Sequence, residues 1–193
     1  MWQRLTTQIQ RWVMVACLIA AIALAVRVDD VVAQWQHDRL AALTYQRGLE
    51  FAAAQHYDDA ADTFRQVLAL APRAGPAYES LAEVEVKRGR VDAAIQTYHQ
   101  LLAIYPYTYS AAVYRQLGLI ELRSGRLLDA RTHFHQAVEL DPEDWMAYYL
   151  LGHALDRLGD AVGARTAWRR VVNLNPQFQP VYAHLRKRDD RRP

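Results

Sequence analysis

The sequence predicts an all-α fold of stacked helical hairpins, and three observations predict it. Four columns of residues recur at fixed spacing: a small residue (Gly48, Ala82, Gly118, Gly152), then Ala60, Ala94, Ala130 and Ala164, then an aromatic ring (Phe64, Tyr98, Phe134, Trp168), then Pro72, Pro106, Pro142 and Pro176. Counted back from each proline, these define units 41–74, 75–108, 111–144 and 145–178. The second observation is Gly89, Gly125 and Gly159 at position 15 of three units, where a first helix ends best in a left-handed residue. Repeat 1 has Gln55 there, a mild departure. The third is composition: 52% of the 193 residues are hydrophobic, enough to bury a core.

The best-formed unit runs from Trp145 to Phe178. Tyr148, Leu151, Gly152, Ala164, Trp168 and Pro176 resemble, in order and spacing, the tetratricopeptide repeat family. The resemblance covers residues 41 to 178, with a partial fifth unit beyond. It implies two antiparallel helices per repeat, a right-handed superhelix, a concave groove lined by the first helix of each repeat, and a role in protein–protein interaction.

Residues 1–11 form a short basic flank carrying Arg4 and Arg11. Trp12 to Val26 is an unbroken apolar run of 15 residues. A helix over that run is about 22 Å long, short of a bilayer core of roughly 30 Å. Ile9–Val28 reaches about 30 Å, because Arg11 and Arg27 can snorkel to the headgroups at its ends. Residues 12–28 are therefore expected to form one transmembrane helix of signal-anchor type, contacting membrane lipid. The competing expectation is a cleaved signal peptide with a small-x-small site at Ala23-Leu24-Ala25. Arg4 and Arg11 are balanced by Arg27 and Arg39, so basic residues barely bias orientation. A basic N-terminus ahead of an early anchor places that terminus in the cytoplasm and the repeats outside it.

Residues 29–40 are expected to form an amphipathic helical connector, since no proline or glycine occurs between Val13 and Arg47. Val28, Val31, Val32 and Trp35 recur on one helical face. Two readings stand: a stripe that meets a membrane partner or the headgroups, or a connector packed on the first repeat. In repeat 1 the helices are expected over Ala41–Ala54 and Tyr57–Leu70. Position 8 and position 20 residues should let the paired helices approach closely, and the position 24 ring should fill the gap toward the next repeat. Each proline should end the second helix, lacking an amide proton and clashing with the preceding turn. Basic residues before the inner turns (Lys87, Arg88, Arg123, Arg157) complement the negative end of the first helix. Two extra residues fall within Tyr107–Ser110, making a tyrosine-dense junction with Tyr105 and Tyr114. Tyr107 and Tyr109 either seal that junction or offer a secondary contact. Residues 179–193 are expected to be a capping helix and basic tail, with Tyr182 and Leu185 in the repeat columns.

Catalytic chemistry finds no footing. The single cysteine, Cys17, excludes an intrachain disulfide and a thiolate metal cluster. His133 and His135 are two apart on a helix and face differently, and no phosphate loop, haem attachment motif or H-E-x-x-H occurs. No cofactor, metal, nucleic acid or small-molecule substrate is expected, and the net charge of +2 argues for none.

Positions 5 and 9 of the family pattern usually face the groove. The resemblance therefore nominates Tyr45, Leu49, Glu79, Glu83, Arg115, Leu119, Tyr149 and His153 as partner-binding residues, with Lys87, Arg123, Asp156 and Arg157 beside them. Glu79 and Glu83 would repel the chaperone-tail carboxylate that some family members clamp. An extended or helical protein segment suits this mixture better. The expected function is a non-catalytic, membrane-anchored scaffold, similar to small membrane-anchored bacterial proteins of this family. The alternatives are an accessory subunit of an integral membrane complex, respiratory or photosynthetic, and a soluble periplasmic adaptor after cleavage at Ala25.

Overall fold

The computed structural model describes residues 31–106, 108 and 110–189. The basic flank, the expected transmembrane helix 12–28, Val28, Tyr107, Tyr109 and the last residues of the basic tail lie outside the described residues. Among the described residues, no helix is long and apolar enough to cross a membrane.

Nine helices follow one another among the described residues, and no strand. They are α1 (residues 31–53), α2 (Tyr57–Leu70), α3 (Gly75–Lys87), α4 (Val91–Ile104), α5 (Ser110–Ser124), α6 (Leu127–Leu140), α7 (Trp145–Arg157), α8 (Ala161–Leu174) and α9 (Pro180–Asp189). The first eight pair as the four expected hairpins, and α9 packs on α8.

Proline ends each second helix through its predecessor. The clash of its ring with the preceding residue excludes the helical region there. Ala71, Tyr105, Asp141 and Asn175 accordingly sit near φ −134°, −130°, −132° and −139°, each donating a last amide bond back into its helix. The inner turns are as uniform. Gly89, Gly125 and Gly159 adopt φ of 74°, 83° and 86°, and Gln55 adopts the same conformation at 63°. The following amide bonds back across the turn in all four repeats: His56 to Phe51, Arg90 to Glu85, Arg126 to Glu121 and Asp160 to Leu155. That geometry is the left-handed C-terminal cap, and Gln55 meets it without glycine's freedom.

The small residue and the ring of each repeat touch. A Cβ added to Gly48, Gly118 or Gly152 would come within 2.6 Å of Phe64, 2.7 Å of Phe134 or 2.2 Å of Trp168. The ring therefore lies flat on its own repeat's first helix. It also reaches the next repeat, since Phe64 shares a core with Leu81 and Val84. Repeat 2 solves the same contact differently, with Ala82 and Tyr98 in one buried cluster.

Two details concern α1 and α5. The connector and the first helix of repeat 1 form one continuous helix, whose first buried residue is Ala41. Residues 31–40 are all exposed, Val31 by 68% and Trp35 by 59%, so the Val31–Trp35 stripe is not buried among the described residues. Nothing in the sequence breaks a helix there, so no boundary separates connector from repeat. At the tyrosine junction, Ser110 already belongs to α5 and is buried. Tyr105 donates to the Arg73 carbonyl at 2.6 Å and Tyr114 stacks on His133, so both rings seal the junction.

Candidate partner-binding groove

The first helices carry the nominated positions at i and i+4, one above the other on one face. The open end is in repeats 1 and 2. Leu49 is 37% exposed, an apolar side chain in water beside the turn to α2. Glu79 is half-buried and Glu83 exposed one turn further on α3. Burial, and then the Glu83 carboxylate, raise the Glu79 carboxyl above the ordinary range. The same two carboxylates, after burial, push the Tyr98 hydroxyl upward from α4. No Lys or Arg among the described residues forms an ion pair with Glu79 or Glu83.

The other nominated residues are engaged in the stack. Tyr45 places its hydroxyl 3.0 Å from Ser80 Oγ on α3 and its ring against Phe64. Arg115 Nε donates to Asp144 Oδ2 at 2.7 Å, while Asp144 Oδ1 caps α7 by accepting from the Met146 and Ala147 amides at 3.0 Å. One carboxylate thus starts α7 and holds Arg115 of the preceding repeat. Leu119 packs against the core of repeats 3 and 4. Tyr149 and His153 meet edge to face at 4.6 Å between ring centres, and α9 lays His184 against both. His184 also stacks on Trp168 at 4.7 Å, and Trp168 Nε1 donates to the Tyr149 carbonyl at 3.3 Å. Burial first, and His184 second, lower His153 to about 4. Of the flanking residues, Lys87 and Arg123 are exposed, whereas Arg157 donates to the Leu122 carbonyl at 2.6 Å.

Sequence reasoning missed two buried acids at position 11. Glu85 is buried between Arg65 of α2 and Arg88, which in turn reaches Asp58 at 2.5 Å. Glu121 is buried with its Oε2 2.6 Å from His133 Nδ1. The signal was available: Phe51 and Leu155 fill the same position in the outer repeats, so an acid there must find a donor inside. His133, set aside as one of a non-metal pair, is that donor's ring in repeat 3. Among the described residues no group of His, Cys, Asp and Glu could hold a metal ion.

Antiparallel helices paired into hairpins and stacked hairpin on hairpin, with the same residue columns in each, define a helical-repeat protein. The chain belongs to the tetratricopeptide repeat family, whose pattern matches residues 45–108 and 115–177. Among curated proteins it is similar to the CTR9 homolog of Arabidopsis thaliana, 33% identical over 125 residues, which cover 65% of this chain and 11% of that protein. It is also similar to the cytochrome c-type biogenesis protein CycH of Rhizobium meliloti, 26% identical over 119 residues, 58% of this chain and 30% of the relative. The chain therefore spans a third or less of these relatives. Among solved structures, MamA from Desulfovibrio magneticus superposes with a TM-score of 0.63 at 26% identity, covering 72% of this chain and 77% of that one. YrrB, described as a TPR protein with an unusual peptide-binding site, gives 0.63 at 20% identity, covering 76% and 74%; the latter likeness speaks for the fold.

Proposed function

We propose that this chain is a non-catalytic, membrane-anchored scaffold that recruits or assembles a partner protein at the membrane surface. The observation that carries the reading is the division of the groove. Leu49 and Glu83 stand exposed in repeats 1 and 2, with half-buried Glu79 unpaired beside them, whereas Arg115, Tyr149 and His153 are already held by Asp144 and α9. An unpaired carboxylate beside an exposed leucine suits an extended or helical segment carrying a Lys or Arg next to an apolar side chain. A cytochrome c-type biogenesis protein among the relatives fits an assembly role. The anchor is the 12–28 segment, with the N-terminus cytoplasmic and the repeats beyond the membrane. Its support is the apolar run and the exposed helical stretch, residues 31–40, that follows it in sequence.

The test is purification of the full-length chain from its native membrane in mild detergent, with quantitative mass spectrometry of what accompanies it. Leu49→Lys with Glu83→Lys is the variant to use, because both side chains are exposed and neither joins the repeats. Loss of an accompanying protein by more than about tenfold, worth about 1.4 kcal/mol, is expected. An unchanged set contradicts the groove. Peptides from Met1–Ala25 are expected in the same spectrum, and a chain starting near Val26 contradicts the anchor.

One observation favours a second reading, an accessory subunit of a membrane complex. Val31, Val32 and Trp35 lie exposed on the helical stretch ahead of Ala41. A neighbouring subunit would cover them. That reading expects a stoichiometric set that survives the groove variant and is lost with Val31→Lys and Trp35→Lys.

A further inference from the structure

A hollow lies away from the first-helix groove, between α6 and α8, with α7 as its floor. Its volume is about 580 Å3, inside the range of specific binding sites, roughly 300–1,000 Å3. Tyr148, Leu151 and Leu155 of α7, with Val138 of α6, make the floor apolar. Gly163 and Ala167 leave room for the hollow on the side of α8, whose Thr166, Arg169, Arg170 and Asn173 line its edge. At the two α8 positions concerned, Gly163 and Ala167, the earlier repeats carry Asp59, Ala93 and Asp129, and Thr63, Thr97 and His133. It runs on past Asp160, His135 and Leu155 into a second hollow of about 440 Å3, edged by Arg131 and Glu139, so the basic end of the site is the one at Arg169 and Arg170. The two hollows share His135, Leu155 and Asp160 and together make a trough between α6 and α8.

Its charge is set by what is already used. Asp160 is committed to the start of α8, its Oδ1 accepting from the Gly163 amide at 2.8 Å. Arg169 and Arg170 line the other end of the hollow, both exposed, and neither forms an ion pair with a carboxylate among the described residues. Arg170 lies 5.9 Å from the centre of the Tyr148 ring, at the edge of the apolar floor. A guanidinium pair beside an apolar pit fits carboxylates flanking an apolar anchor, since Arg forks bind carboxylates through paired donors and buried anchors supply most of the affinity.

We infer that this trough seats a second protein segment, acidic and carrying a Leu or Phe anchor, on the face opposite the acidic groove. The anchor fills the space over Leu151 and Leu155, and its neighbouring Glu or Asp side chains meet Arg169 and Arg170. The two faces then select partners of opposite charge, so one chain can hold two different segments at once.

The test uses the full chain in detergent and two fluorescein-labelled synthetic peptides. One alternates Glu with Leu and Phe, and the other replaces every Glu with Lys. Fluorescence anisotropy should report binding of the acidic peptide, weakening with added salt. Thr166→Trp, which fills the hollow from an exposed position on α8, should weaken it at least about tenfold. Arg169→Glu with Arg170→Glu, a surface change that leaves the core untouched, should do the same. Leu49→Lys with Glu83→Lys should leave it unchanged, which separates this site from the groove. The inference is overturned if the lysine peptide binds as well, or if neither reaches half-saturation by about 1 mM. It is equally overturned if the groove variant abolishes binding while Thr166→Trp does not, or if Thr166→Trp instead dissolves a dimer of this chain.

Discussion

Gly152→Ala should destabilise the protein, although alanine is the better helix former. Gly152 lies within α7, and the exchange alone should gain about 1 kcal/mol of helix propensity. Against that, the new Cβ would stand 2.2 Å from Trp168 Nε1 and 2.5 Å from Cδ1. Ordinary contact begins near 3.4 Å, so the indole must move about 1 Å. Trp168 is 1% exposed, is stacked under His184 and donates to the Tyr149 carbonyl, so it has no empty space to enter. Overpacking of this kind costs about 1–3 kcal/mol, and weakening the indole hydrogen bond adds about 1 kcal/mol. The net loss should be about 2 kcal/mol, lowering Tm by about 4–8 °C for a chain of this size. Repeat 2 supplies the rescue, because Ala82 and Tyr98 occupy the same two positions. Gly152→Ala with Trp168→Tyr should therefore be more stable than the sum of the single changes by about 1 kcal/mol or more, a coupling that a double-mutant cycle reads directly. Helical circular dichroism against temperature and urea measures all four proteins. A stabilised Gly152→Ala, or strictly additive changes, would refute the glycine–ring contact as the determinant of helix spacing.

Gln55→Gly should stabilise repeat 1 by about 0.5–1 kcal/mol, since the left-handed conformation costs a side chain roughly 1–2 kcal/mol and glycine's added freedom takes part of that back; urea titration checks it, and a loss would contradict the turn geometry. The folded state holds His153 neutral, its value pushed from 6.5 down to about 4. Its folded value is the depressed one, so the associated stability is complete above about pH 6.5 and is lost as pH falls toward 4. The imidazole is partly open to solvent, so the loss is discounted to about 1–2 kcal/mol, and His153→Phe should flatten urea-midpoint-versus-pH curves over that window. His133→Phe keeps a ring beside Tyr114 but removes the nitrogen facing buried Glu121, and should cost about 2 kcal/mol by the same titration.

The repeat columns made the hairpins legible because each column is a local rule with a local cause. A proline restrains its predecessor, a glycine supplies the turn, and a ring needs a small residue beneath it. The α2 bounds, Tyr57–Leu70, follow from those rules alone. The lack of proline and glycine between Val13 and Arg47 made the unbroken helix through Ala41 legible, but not where the repeat begins on it. Groove positions were legible as positions but not as free surface. Whether Tyr149 faces a partner depends on His184, 35 residues away on the capping helix α9. Arg115 is likewise decided by Asp144, which a column reading sees only as the end of a unit. The trough between α6 and α8 was invisible in sequence, because it is made by side chains that Gly163 and Ala167 lack, and an absence has a shape only once the neighbouring helices are placed.

The scaffold account is tested most directly by site-specific photo-crosslinking in intact native membranes. A photoreactive side chain is placed in turn at Leu49, Lys87 and Trp35 of the full-length chain. Discrete adducts with one protein from Leu49 and Lys87, competed away by that protein added in excess, are the predicted result. Adducts from Trp35 alone, with Leu49 and Lys87 silent, would contradict the groove and leave the exposed helix of α1 as the surface by which this chain is held.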